Sequence, residues 1–187
     1  MISFEGLDGA GKSTQTQRLK EALEKDGFRV LLLTSPSRSL VGRIIRANLM
    51  NMEDHNRDRL FAYDIKRASR QIDGSYDLVL WDRHLDSIYT SNADTKASNV
   101  EKLSIGILVP HKVIFLDIMP EVSWQRESAK SDHPLNMDWL MMKYERYQEL
   151  LEREPERFIV IESTRPIDEV FEEILSSICD FLKGASE

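Results

Sequence analysis

The chain has 187 residues, enough for one domain with a substantial core and too few for a large ATPase assembly. Hydrophobic residues make up 41% and no apolar run reaches the length of a membrane span, so no membrane partner is expected. The formal net charge of −7 argues against binding a nucleic acid polymer, and the single Cys179 excludes an intrachain disulfide framework.

Residues 1–5 read as a strand and 12–26 as a helix closed by Gly27. A second strand is expected at 28–33, then a turn-rich stretch at 34–39 and helical segments at about 40–50 and 57–73. Further strands are predicted at 77–81, 112–117 and 158–161, with helices at 120–127, 138–153 and 167–183. Residues 92–106 resist assignment, and 128–136 read as a mobile loop between two helices. Cys179 falls on the apolar side of the last helical pattern and reads as a core residue. Short apolar strands between amphipathic helices predict an α/β three-layer sandwich around a five-stranded parallel sheet, in one domain over 1–187. The N-terminus runs directly into the first strand, which reads as the absence of a cleaved leader, and the cytoplasm is the expected compartment.

Gly6 to Ser13 fits G-x-x-x-x-G-K-[ST] where a strand should hand over to a helix. That pattern cradles phosphates. The stretch Gly6, Asp8, Gly9, Ala10, Gly11, Lys12, Ser13 and Thr14 turns backbone N–H groups towards a polyphosphate such as ATP. Lys12 reaches the β- and γ-phosphates, the Ser13 hydroxyl can ligate Mg²⁺, and the helix points its positive end at the anion. With no guanine-reading N-K-x-D, the chain does not read as a GTPase. A small P-loop domain with a polar loop after strand four suits a kinase of a small acceptor, which must exclude water from the transferring phosphoryl.

Several runs, in order over about residues 1–150, resemble the thymidylate kinases. They are Phe4 to Thr14, Leu60-Phe61-Ala62-Tyr63-Asp64, Asp82-Arg83-His84, Phe115 to Val122 with Arg126 after it, and Tyr147-Gln148-Glu149-Leu150. The resemblance implies a P-loop nucleoside monophosphate kinase fold with ATP as donor, Mg²⁺, a pyrimidine nucleoside monophosphate as acceptor, and a homodimer. It also implies roles. Arg83 and Arg38 grip the acceptor phosphate, Asp82 orients a Mg²⁺-bound water, and Glu5 joins the same water network. Asp8 contacts the acceptor sugar, and Phe61 stacks on its base. Arg126 closes over the phosphoryl group from the lid. Position 9 is glycine and the loop 128–136 contains Lys130 but no arginine, so Arg126 carries most of that charge, with Arg146 or Lys143 as possible helpers.

The chain departs from the family pattern on the acceptor side. Ile65 stands where an arginine usually helps read the base, and with Phe61 at i and i+4 it is expected to pave an apolar wall. Ser91 stands where a tyrosine usually crowds the sugar, and Ser35-Pro36-Ser37-Arg38-Ser39 replaces a glycine-rich loop. The leading reading is phosphorylation of dTMP or a related pyrimidine deoxynucleotide. Two alternatives stay open: a deoxynucleoside or other small-molecule kinase with Glu5 as the base at a hydroxyl, and a catalytically weak nucleotide-binding paralogue.

Overall fold

The computed structural model describes residues 1–48, 53–91, 95–129 and 136–184. Its strands are β1 (Ile2–Glu5), β2 (Val30–Thr34), β3 (Leu78–Asp82), β4 (Lys112–Asp117) and β5 (Phe158–Glu162). They form one sheet in the order β2-β3-β1-β4-β5, with every neighbouring pair parallel. Parallel neighbours need crossovers, so helices cover the sheet faces and the inner strands become unbroken apolar runs. All residues of β1 and β3 are buried. The pleat divides β3 between two cores. Leu78 and Leu80 join Ile2, Leu19 and Leu23, whereas Trp81 and Val79 join Ile65, Leu85 and Ile88. Trp81 is fully buried, and its indole N–H donates to Ser35 Oγ at 2.9 Å.

The helices are α1 (Lys12–Lys25), α2 (Leu40–Asn48), α3 (Asp54–Ala68), α4 (Leu85–Thr90), α5 (Ala97–Leu103), α6 (Pro120–Ser128), α7 (Met137–Arg153) and α8 (Ile167–Gly184). The helix predicted over 57–73 is divided. α3 stops at Ala68 and a 3₁₀ turn covers Ser69–Gln71, where the Ser69 hydroxyl donates back to Ile65 O at 2.9 Å. The unassigned stretch 92–106 contains α5, while residues 92–94 lie outside the described residues. Lys130 and the rest of 130–135, most of the predicted lid loop, also lie outside them. Every residue of α4 is buried, so this helix serves the core of its own chain. No helix among the described residues is long and apolar enough to cross a membrane.

The register sets Phe4 of β1 beside Asp82 of β3. The loop after β1 and the turn after β3 therefore open side by side at the carboxyl edge of the sheet, where α/β proteins hold ligands.

Candidate active site

The loop from Gly6 to Gly11 joins β1 to α1 under close steric control. Gly6 has φ 139°, and a Cβ there would lie 2.5 Å from Leu116 O, so only glycine fits. α1 begins at Lys12 with Gly11 as N-cap, no side-chain cap and no acidic residue in its first turn. Its first N–H groups thus lack an internal anion partner, the arrangement that suits a phosphate. Lys12 folds back inside the loop and donates to Gly6 O at 3.1 Å and Leu7 O at 2.6 Å. Burial, and then the charge of Arg83, push its ammonium down to about 7.

Ser13 Oγ donates to Asp82 Oδ2 at 2.5 Å. Asp82 is buried, and its Oδ1 has no hydrogen-bond partner among the described residues. A hydroxyl beside a carboxylate with an unused oxygen is an all-oxygen donor pair of the kind a hard divalent cation takes. The residues present therefore fit Mg²⁺.

Arg83 follows Asp82 in the left-handed region, at φ 68°. A long side chain there costs about 1–3 kcal/mol and persists only where its surroundings hold it. Its N–H donates to Phe4 O at 3.0 Å, its guanidinium pairs with Asp8, and Nη1 also reaches Gly6 O at 3.5 Å. The strained turn thus aims the guanidinium back across the P-loop.

A family model described as thymidylate kinase matches residues 4–174. The chain belongs to the thymidylate kinase family. It is 30% identical to a thymidylate kinase of Caldanaerobacter subterraneus subsp. tengcongensis, covering 98% of this chain and 97% of that protein. It is 33% identical to a probable thymidylate kinase of Methanosphaera stadtmanae, covering 97% and 98%. A thymidylate kinase of Geobacillus sp. is 28% identical, with 98% and 97% covered.

The family P-loop here carries Asp8 within a group of cations. Asp8 pairs with Arg83 and lies 3.6 Å from Lys143 Nζ. Burial opposes its ionisation, but Arg83, Lys143 and Lys12 together hold the carboxyl well below the usual carboxylate range. Glu5, one residue before the loop, is fully buried. Its Oε1 accepts from the His84 N–H at 2.6 Å, and its Oε2 from Ser87 Oγ at 2.6 Å and the Tyr147 hydroxyl at 2.8 Å. Burial and the nearby Asp86 charge raise its pKa. Glu5 is therefore a brace that ties β1 to α4 and α7. Its occupied oxygens favour neither a place in a metal's water network nor the base role that a nucleoside acceptor would need.

Arg38 is exposed on the loop after β2 and lines a cavity of about 490 Å³ with Ser13, Thr34, Ser37 and Asp82. That loop is clamped from below. Buried Asp64 of α3 accepts from Ser37 N and Ser37 Oγ, both at 2.6 Å, and from Ser39 Oγ at 3.0 Å. Arg46 of α2 donates to Pro36 O and, at 2.8 Å, to Ser37 O.

Arg126 sits on the other flank of the P-loop. Its guanidinium donates to Gly9 O at 3.1 Å and Ser163 O at 3.0 Å. It lines a separate cavity of about 240 Å³ with Ala10, Gly11, Thr14 and Arg165. Gly9 has φ 77°, and a Cβ there would approach Arg126 Cβ to 3.1 Å. A side chain at position 9 and Arg126 in its present place thus compete for the same space.

Ile65 is fully buried in the core with Leu33, Trp81 and Ile88. Half-buried Phe61 packs against that cluster, so only Phe61 of this pair keeps a partly accessible face for the expected apolar wall. Ser91 closes α4. Its hydroxyl donates to Ile88 O at 3.0 Å, and its carbonyl accepts from Trp139 Nε1 at 3.3 Å and Arg57 Nη2 at 3.4 Å. No described contact joins Phe61 or Ser91 to the P-loop group.

Sequence reasoning names Asp64 and Tyr147 only within motifs and does not single out Ser87. The detectable signal lay in α7, whose buried residues Leu140, Lys143, Tyr147 and Leu150 follow helical spacing. A lysine on the apolar stripe of a helix must have a reason to be inside.

Proposed function

We propose that this protein transfers the γ-phosphoryl group of ATP to dTMP or a related pyrimidine deoxynucleoside monophosphate, giving ADP and the diphosphate. The observation that carries the reading is the meeting of two pairs at one sheet edge, Ser13 with Asp82 and Asp8 with Arg83. The first pair suits a metal-bound donor, and the second offers a guanidinium fork to an acceptor phosphate. Membership of the thymidylate kinase family supports the same choice of acceptor.

In this reading the amides of residues 9–14 and Lys12 hold the donor phosphates. Ser13 and Asp82 would hold Mg²⁺, Asp82 through water, and the metal would supply charge neutralisation at the donor phosphates. Arg83 and Arg38 aim the acceptor phosphate, Asp8 turns to the sugar, Phe61 stacks on the base, and Ser91 borders the sugar. The Arg126 cavity receives the rest of the donor nucleotide, and the segment about 128–136 acts as the lid of a single kinase domain. A homodimeric assembly and a cytoplasmic location complete the reading.

The test is ADP release measured with each nucleoside monophosphate in turn, and with the free nucleosides. The highest kcat/KM is expected for dTMP or a close pyrimidine deoxynucleotide. Turnover with nucleosides and none with monophosphates refutes the reading.

A further inference from the structure

Lys12, Arg83 and Lys143 gather around residues 6–8. Lys12 and Arg83 both reach Gly6 O, while Arg83 and Lys143 both face Asp8. The carboxylates beside them are Asp8, Asp82, which also accepts from Ser13, and Glu5, whose ionisation burial opposes. Lys143 is the least engaged of the three cations. It is only 4% exposed, and its described partners are Asp8 and the Trp139 ring, 4.6 Å from Nζ to the centroid. At 3.6 Å the Asp8 contact exceeds hydrogen-bond length, so none of the three ammonium donors has a close acceptor among the described residues.

Two other cations flanking the lid segment, Arg126 and Arg146, have partners elsewhere among the described residues. Arg126 is bonded to Gly9 O and Ser163 O on the far flank of the loop. Arg146 donates to Tyr89 O at 3.1 Å and to Thr95 O.

We propose that Lys143 is the catalytic cation that contacts the phosphoryl group in transit between the Lys12 and Arg83 sites, a role this chain places on α7 rather than on a lid arginine. The inference rests on the phosphoryl-transfer reading above. In the step, a lone pair on an acceptor phosphate oxygen forms the new bond to the γ-phosphorus. The bond from that phosphorus to the β–γ bridging oxygen breaks, and its electron pair leaves on ADP. Lys143 neither gives nor takes a proton. Its charge stabilises the negative charge spread over the three equatorial oxygens. Asp8 holds its ammonium beside the P-loop, and a phosphoryl oxygen serves as its close acceptor in the reaction.

The experiment compares wild type, K143M and K143R at saturating ATP, which keeps Lys12 charged, with dTMP varied from pH 6 to 10. The groups facing Lys143 are Asp8 on the P-loop, Arg83 after β3, Glu5 on β1 and Lys12 on α1. Burial, partly opposed by Asp8 and reinforced by Arg83, brings its ammonium down to about 8. The phosphates of bound ATP raise that value, so wild-type kcat/KM for dTMP is expected to fall on an alkaline limb no lower than about pH 8, and K143R to move that limb to higher pH. K143M is expected to lose about 10²–10³ in kcat at pH 7 with the KM for ATP unchanged, and K143R to recover at least about a tenth of wild-type kcat, since the charge is kept.

K143M with wild-type kcat overturns the assignment. So does K143R with the limb unmoved from its wild-type position, an outcome that decides the matter even if K143M does not fold. A wild type without monophosphate-dependent turnover instead overturns the function reading, and the assignment with it.

Discussion

Replacing His84 with phenylalanine isolates the effect of burying one imidazole beside the site. His84 is fully buried and stacks edge-on against Trp81, with ring centroids 4.6 Å apart. Neither ring nitrogen has a hydrogen-bond partner among the described residues. Burial, and then the charge of Arg157, lower its pKa from 6.5 to about 3. Between those values the unfolded chain binds one proton more than the folded chain, so stability falls as the pH falls. The slope approaches about 1.4 kcal/mol per pH unit below pH 6, which amounts to about 2.3 kcal/mol between pH 6.5 and 4.5. Phenylalanine can fill the same ring position, keeps the backbone N–H that serves Glu5, and needs no polar partner. Urea unfolding of both proteins at pH 7, 6, 5 and 4.5 gives the comparison directly. The H84F protein is expected to gain about 2–3 kcal/mol on wild type across that range, allowing for the spread usual in such linkage. Stability curves that stay parallel from pH 7 to 4.5 would refute the reasoning, because they would mean that His84 binds its proton equally well folded and unfolded.

Three further outcomes follow from the site. Asp82→Asn keeps the shape of the side chain but removes its charge. Metal-supported turnover is expected to drop by about 10²-fold or more, the scale of losing one major electrostatic contact, while metal-free nucleotide binding measured by calorimetry stays within a few fold. Asp64→Ala releases Ser37 and Ser39, so Arg38 loses its platform; steady-state kinetics should show the acceptor KM raised about tenfold, worth one hydrogen bond to a charged group, with the KM for ATP unchanged. Gly9→Ala places a Cβ at positive φ against Arg126, and differential scanning calorimetry should find Tm lower by about 2–8 °C, from a left-handed penalty of about 1–2 kcal/mol.

The parallel α/β fold and the P-loop were legible from the sequence because both are local codes. Apolar run length and the spacing of Gly6, Gly11, Lys12 and Ser13 act within about a dozen residues. Arg83 was legible for a related reason, since it ends a buried strand at the edge where ligands bind. Ile65 was not. Helical periodicity says that it shares a face with Phe61, but not that this face turns into the core against Trp81 and Ile88. Arg126 was likewise expected among the transferring charges, and its two carbonyl partners hold it on the other flank.

The amino-acid order by itself determined the phosphate cradle, the alternation of strands and helices, and the absence of an arginine from position 9 and from 128–136. The tertiary structure alone decided which charges meet. Tyr147 reaches Glu5 across 142 positions of sequence, Arg83 reaches Asp8 across 75, and Lys143 enters the P-loop group from the far side of the lid segment. Glu5 became a brace, and Lys143 a cation at the site, for the same reason. A carboxylate's or ammonium's chemistry is set by the donors, acceptors and low-polarity surroundings that packing brings to it, and none of these is written next to it in the chain.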